Sequence, residues 1–242
     1  MLTKARGKNG SRSFWDEAAA EDAAWYIATG APTLGEDFFA GGAAETDFYL
    51  AMSGVPGLRH DATVIEIGCG VGRMTRRLSE LAGRVIAADV SSEMLRRCRL
   101  HLADRSNVDY VLLPGDGALA GVADSSVDLV FSYITLQHVP DAQAQLRYLT
   151  ESVRVLRYGG HAALQVRATG WTARAVDWTG HVGHWLTGRR TLHAEWRGAR
   201  VAPDRIHNTA RRVGASVKLI PHGRRHLWII LSRRNLPRVD RE

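Results

Sequence analysis

The sequence predicts an α/β fold, a doubly wound and mostly parallel sheet with helices on both faces. Short apolar runs alternate with helical patterns from residue 63 to 167, the rhythm of parallel strands joined by crossover helices. Those runs are apolar at consecutive positions rather than at every second one, as strands buried on both faces must be. Near the end, runs at 216–221 and 227–232 are joined by the short connection HGRRH. That spacing makes them an antiparallel hairpin at one edge, and brings the sheet to seven strands.

The elements follow in order. Residues 1–12 read as a polar, basic and mobile leader. Residues 13–27, SFWDEAAAEDAAWYI, read as a helix with Ser13 as its cap and acids early in its length. Residues 28–60, rich in Gly, Ala and aromatics, read as helical and complete an N-terminal leader and cap, 1–60, ahead of the main domain, 61–242. Strands are expected at 63–67, 84–88, 108–113, 127–132 and 161–167. Helices are expected at 73–82, at 92–104 with Leu95, Cys98 and Leu102 on one face, and at 141–157 with Leu146, Leu149, Val153 and Leu156 on one face. Residues 168–201 interrupt the rhythm as an insertion dense in Trp, His, Gly and Arg. A last helix is expected over 203–214, with Pro203 in its first turn.

Composition narrows the function. With 45% hydrophobic and 24% charged residues among 242, the chain can bury a core. No apolar run approaches the roughly 18 residues of a membrane span, and the basic N-terminus has no apolar stretch behind it, so a cytoplasmic protein is expected. Two cysteines, Cys69 and Cys98, build neither a disulfide scaffold nor a thiolate zinc cage. The net charge of +7 is divided as −3, −2 and +12 over residues 1–60, 61–150 and 151–242. Such asymmetry suits an anionic partner. Only three of the 32 basic residues are lysine, a bias that a GC-rich genome explains, but not the crowding into the last third.

The segment 64–72, VIEIGCGVG, sets Gly68, Gly70 and Gly72 between a strand and a helix, where the backbone turns sharply and a ligand can approach the helix N-terminus. Asp89 ends the second strand 21 residues after Gly68, where a carboxylate can accept hydrogen bonds from ribose hydroxyls; capping the next helix is its alternative role. The loop departs from the G-x-G-x-x-G dinucleotide fingerprint. Glu66, two residues ahead of it, suits a cationic ligand end and repels a pyrophosphate. The sequence here resembles the class I S-adenosylmethionine-dependent methyltransferases, with their Rossmann-like fold and first motif E/D-x-G-x-G-x-G. The resemblance implies that Glu66, Gly68 and Gly70 surround the methionine end of the cofactor, that Asp89 holds the ribose, that Val90 beside it contacts the cofactor, and that Met94 packs on the adenine. It implies that Asp116 and Gly117 read the adenine edge. The block 128–141, DLVFSYITLQHVPD, and the stretch 154–160, RVLRYGG, resemble the family's next motifs, with Tyr158 where proline is usual.

Methyl transfer to a hydroxyl requires alignment and removal of a proton. His138, at the exit of the fourth strand, is the candidate base; hydrogen bonding its own loop is the competing role. Gln137 is expected to position the cofactor or substrate. Tyr26, Tyr133 and Trp171 are expected on the acceptor side. The insertion adds Trp178, Trp185, Trp196, His181, His184, His193 and arginines including Arg174, Arg189, Arg190, Arg197 and Arg200, suited to stacking a sugar or phenol and holding an anion. A metal site is not expected there, because neither thiolate nor well-spaced acid completes the histidines. The chain lacks the Asp/Asn-Pro-Pro-aromatic signature of amino-group methylation and a cysteine near the fourth-strand loop. The expected reaction is O-methylation of a hydroxyl on a small metabolite, sugar or glycan, or phenol, with N-methylation of a small amine still open. The rivals are a nucleic-acid methyltransferase using the basic third, a cofactor-binding protein without catalysis, and, last, an NAD-dependent reductase.

Overall fold

Seven strands form one sheet in the order β3-β2-β1-β4-β5-β7-β6, parallel except for β7, which runs antiparallel to both neighbours. The computed structural model describes residues 9–27, 33–167, 169, 193–223 and 225–234. Its strands are β1 (Thr63–Ile67), β2 (Arg84–Asp89), β3 (Val108–Leu112), β4 (Val127–Ser132), β5 (Leu156–Arg167), β6 (Ala215–His222) and β7 (His226–Arg233). Its helices are α1 (Asn9–Ile27), α2 (Glu36–Ser53), α3 (Thr75–Leu81), α4 (Ser92–His101), α5 (Ala142–Val155), α6 (Ala194–Arg197) and α7 (Pro203–Arg212). This is the Rossmann-like methyltransferase topology expected from the sequence.

The strands earn their central places by burial. Every residue of β1 is buried, which requires cover on both faces. One face carries Ile65, Ile67, Val130 and Leu164 against α5 and α7. The other carries Val64, Leu78, Phe131 and Trp228 with α3 and α4.

Three boundaries differ from the sequence reading. The first helix begins at Asn9, so Ser13 lies inside it and its Oγ donates to Gly10 O at 3.2 Å instead of capping. Residues 9–12 therefore belong to the helix, and Arg12 is anchored by donating to Val90 O and Leu113 O at 3.1 and 3.3 Å. The helix is also two helices: Asp22 leaves helical geometry (φ −167°, ψ 83°), and its Oδ1 accepts from Trp25 N at 3.1 Å, a side-chain cap for a new turn. Finally, β5 starts at Leu156, directly after α5. The pairing jumps from Val127–Leu156 to Leu129–His161, so residues read as a loop form a bulge containing exposed Tyr158 and Gly159.

Candidate active site

A cavity opens at the C-terminal ends of β1, β2 and β4, where ligands bind in open α/β sheets. It holds about 1010 Å³, solvent at its mouth included. Ser11, Trp15, Tyr26 and Ile27 of α1 form one wall and the glycine loop another.

The loop is held to β2 by Gly68 N and Cys69 N, which donate to Ala88 O at 2.7 and 3.1 Å. Gly68 adopts φ +78°, and a Cβ there would sit 2.0 Å from Thr135 Cγ2. The position thus needs glycine for its backbone and for its neighbour. Thr135 Oγ1 donates to Gly68 O at 3.2 Å, tying the loop to the exit of β4.

Asp89 is 7% exposed and lines the cavity. Its Oδ2 accepts from Gly70 N and its Oδ1 from Ser91 N, both at 2.9 Å, so each oxygen keeps acceptor capacity. Burial pushes this carboxyl above its usual range. The capping alternative belongs to Ser91, whose Oγ accepts from Met94 N at 3.0 Å. Ser91 Oγ in turn donates to Asp16 Oδ1 at 2.6 Å, and Glu93 N donates to the same oxygen at 3.1 Å. Asp16 thus latches α1 to the start of α4.

Glu66 is 4% exposed and accepts from Thr75 Oγ1 at 2.6 Å. Burial pushes its carboxyl up to about 8, because the charged form has little water and no cation to compensate it. It lines the same cavity as Asp89, Val90 and Met94.

Of the remaining expected residues, Tyr26, Tyr133 and His138 also line the cavity, while Asp116, Gly117 and Gln137 do not. Asp116 accepts from Ala118 N at 3.1 Å and pairs with Arg147 at 3.3 Å; its neighbour Gly115 reaches the cavity instead. A Cβ on Gly117 would lie 2.4 Å from Ala144 O, so this glycine lets the turn pack on α5. Trp171, Trp178, Trp185, His181, His184, Arg174, Arg189 and Arg190 lie outside the described residues. Among the described residues, no three His, Cys, Asp or Glu side chains converge as a metal set.

His138 is 9% exposed and follows β4 in a 3-10 turn. Its Nδ1 lies 2.7 Å from Trp196 O, so that nitrogen carries the proton, and Nε2 accepts from Gln137 Nε2 at 3.2 Å. Burial pushes its pKa down to about 4, leaving a neutral imidazole. Around it gather Trp15 and Trp196, with ring centroids 5.5 and 5.0 Å away, and Trp25 stacks on Trp196 at 5.4 Å. The end of the insertion therefore meets α1 over His138. Tyr133 Oη lies 2.9 Å from Tyr49 Oη, and burial pushes the Tyr133 hydroxyl well above the usual phenol value.

Sequence reasoning missed Ser11, Arg73, Thr135 and Tyr148. Arg73 lines the cavity while paired with Glu45 at 2.6 Å, a partner 28 residues upstream that no local pattern reveals. Ser11 and Trp15 stand four residues apart on one helical face, a signal that was legible.

A methyltransferase-domain family model matches residues 65–164, the span that builds this cavity from β1 through β5. Residues 65–164 therefore form the domain of a class I S-adenosylmethionine-dependent methyltransferase. The methyltransferase is 29% identical over 225 residues to malonyl-[acyl-carrier protein] O-methyltransferase of Methylococcus capsulatus, spanning 88% of this chain and 78% of that protein. It is 33% identical over 102 residues to ubiquinone biosynthesis O-methyltransferase of Xanthomonas campestris, spanning 42% of this chain and 41% of that one. Among solved structures, the DhpI-SAM-HEP complex matches with a TM-score of 0.60 and 22% identity over 95% of this chain and 99% of that one. YcgJ of Bacillus subtilis also gives 0.60, at 14% identity over 78% and 100%. These likenesses establish the fold. No helix among the described residues is long and apolar enough to cross a membrane.

Proposed function

We propose that the methyltransferase transfers the methyl group to an oxygen of a small hydroxylated or anionic acceptor, a metabolite, sugar or phenol, free or carried on a protein. The observation that carries this reading is one cavity shared by two chemistries: buried acceptors at the glycine loop, and an aromatic wall around a neutral histidine. The names of the Methylococcus and Xanthomonas relatives support oxygen as the acceptor atom.

The cofactor supplies an electrophilic methyl on a sulfonium. Asp89 holds the ribose hydroxyls, and Val90 and Met94 pack beside the base. Glu66 faces the amino end, where a cation would compensate its carboxylate. Trp15, Tyr26 and Tyr133 line the acceptor side and exclude water. Alignment of this kind supplies roughly 7–11 kcal/mol in the best intramolecular cases. For a hydroxyl acceptor, His138 Nε2 would take the proton of the O–H bond once Gln137 turns away from that nitrogen, while the O–CH3 bond would form as the S–CH3 bond of the sulfonium breaks, its electron pair leaving on sulfur as the neutral thioether. An acceptor that arrives ionised, such as a carboxylate, needs no base.

Calorimetric titration with S-adenosylmethionine, S-adenosylhomocysteine and NADH tests the cofactor assignment. Micromolar binding of the first two alone is expected, and Asp89→Ala should weaken it by about 1–3 kcal/mol. An unchanged dissociation constant would remove Asp89 from the ribose site. His138→Ala should lower turnover of a hydroxyl acceptor by about 10²–10⁴-fold with cofactor affinity retained. Equal turnover of wild type and variant would show that the proton leaves elsewhere or that none has to leave.

A further inference from the structure

Among the described residues, part of the positive surplus of the last third gathers on one helix. Between residues 59 and 157 every arginine except Arg99 has a carboxylate within ion-pair distance, and Arg99 lies over the ring of Tyr110. Helix α7 is different. It buries Ile206 and Ala210 and packs on α5 and β6, while Arg205, Arg211 and Arg212 are exposed with no carboxylate partner among the described residues. Arg211 and Arg212 in the last turn suit the helix dipole, but cations grouped in this way also repel one another.

A groove flanks each side of this helix. Between α5 and α7 lies one of about 1520 Å³, open solvent included, lined by Arg147, Arg205 and Arg212 together with Asn208 and Thr209. On the other side His207 and Arg211 stand with Arg234 from the end of β7. The larger groove and the active-site cavity lie on either side of one turn: Asp116 lines the groove and Gly115 the cavity.

We propose that the exposed face of α7, with the α5 groove beside it, docks an acidic carrier protein that brings the acceptor to the cavity rim. The proposal rests on the carrier-bound form of the acceptor offered above. Charge complementarity sets the sign of the partner. Its class follows from the lining. Neither groove contains Trp, Tyr or Phe on which bases would stack. Asp116 and Asp141 in the larger wall oppose a continuous line of phosphates but suit the mixed charges of a protein surface.

The test uses the full chain with a purified acidic acyl carrier protein as probe, with transfer RNA and phosphatidylglycerol vesicles as separate arms. Micromolar binding of the carrier is expected at low salt, weakening at least about tenfold between 50 and 300 mM salt. The double variant R205E/R212E should lose at least about tenfold in affinity, with S-adenosylmethionine binding and the thermal midpoint unchanged, and R211E should weaken binding less. No carrier binding, binding indifferent to these variants, or tighter binding of RNA or vesicles would overturn the proposal. Cofactor titration of the same samples separates the two readings, since a failed cofactor assignment leaves the carrier isotherm to be judged on its own.

Discussion

Gly68→Ala is expected to abolish cofactor binding and to lower the thermal midpoint by several degrees. Two costs combine. The residue sits at φ +78°, where an L side chain costs roughly 1–2 kcal/mol. Its new Cβ would lie 2.0 Å from Thr135 Cγ2 and 2.3 Å from Thr135 Oγ1, and forcing such a clash apart costs roughly 1–3 kcal/mol. At roughly 2–4 °C per kcal/mol for a chain of this size, the midpoint should fall by about 4–20 °C. The loop cannot yield without moving Gly70 N from Asp89 Oδ2, so the ribose site is lost with it. Affinity for S-adenosylmethionine should drop more than about a hundredfold, the scale of roughly 3 kcal/mol. The double variant G68A/T135G removes the clash but not the dihedral cost, and should recover part of the midpoint. Calorimetry and melting curves on the three proteins check this. A Gly68→Ala protein that binds within threefold of wild type would show that the loop adapts freely.

The same loop explains what could be read from the sequence. Alternating glycines between a fully buried strand and a helix are a local pattern with a local cause, and Asp89 is fixed by the end of the next strand. The central strands follow from apolar runs of a length that only a two-faced sheet buries, whereas their order in the sheet is set by crossovers that leave no local pattern. Direction is less legible than position. Asp116 stands at the expected turn, yet it pairs outward with Arg147 while Gly115 faces the cavity, because spacing places a residue without aiming its side chain.

Long-range partners are the other blind spot. Arg73 enters the cavity wall held by Glu45 and by Phe38 O, and His138, kept neutral by burial, is oriented by Trp196 O at the end of the insertion. Neither contact leaves a local trace. The first helix was misread for a different reason: in an alanine-rich run, a single aspartate that caps a new turn looks the same as one that continues the old one.

Glu66 supplies the second large effect, a pH dependence that ligand binding should reverse. Its carboxyl is pushed up to about 8 in the folded protein, against about 4.3 for an unperturbed glutamate. The folded state therefore holds this proton more tightly than the unfolded chain, and stability is lost as pH rises from roughly 4.5 through 8. At 1.36 kcal/mol per pH unit, the loss reaches about 5 kcal/mol by pH 9. Glu66→Gln keeps the acceptor for Thr75 Oγ1 and cannot ionise, so it should raise stability at pH 9 and leave it nearly unchanged at pH 5. Cofactor binding should show the opposite preference. The cationic amino end favours the ionised carboxylate, so binding near pH 7 should release about one proton from Glu66. Wild-type affinity should then rise toward pH 8 relative to the variant. The ligand's own amino group titrates near 7.7–8.0 with either protein, so the difference between the two isolates Glu66. Titrations in phosphate and Tris give the proton count directly. If both proteins release the same number of protons and their affinities run parallel with pH, Glu66 does not meet the amino group.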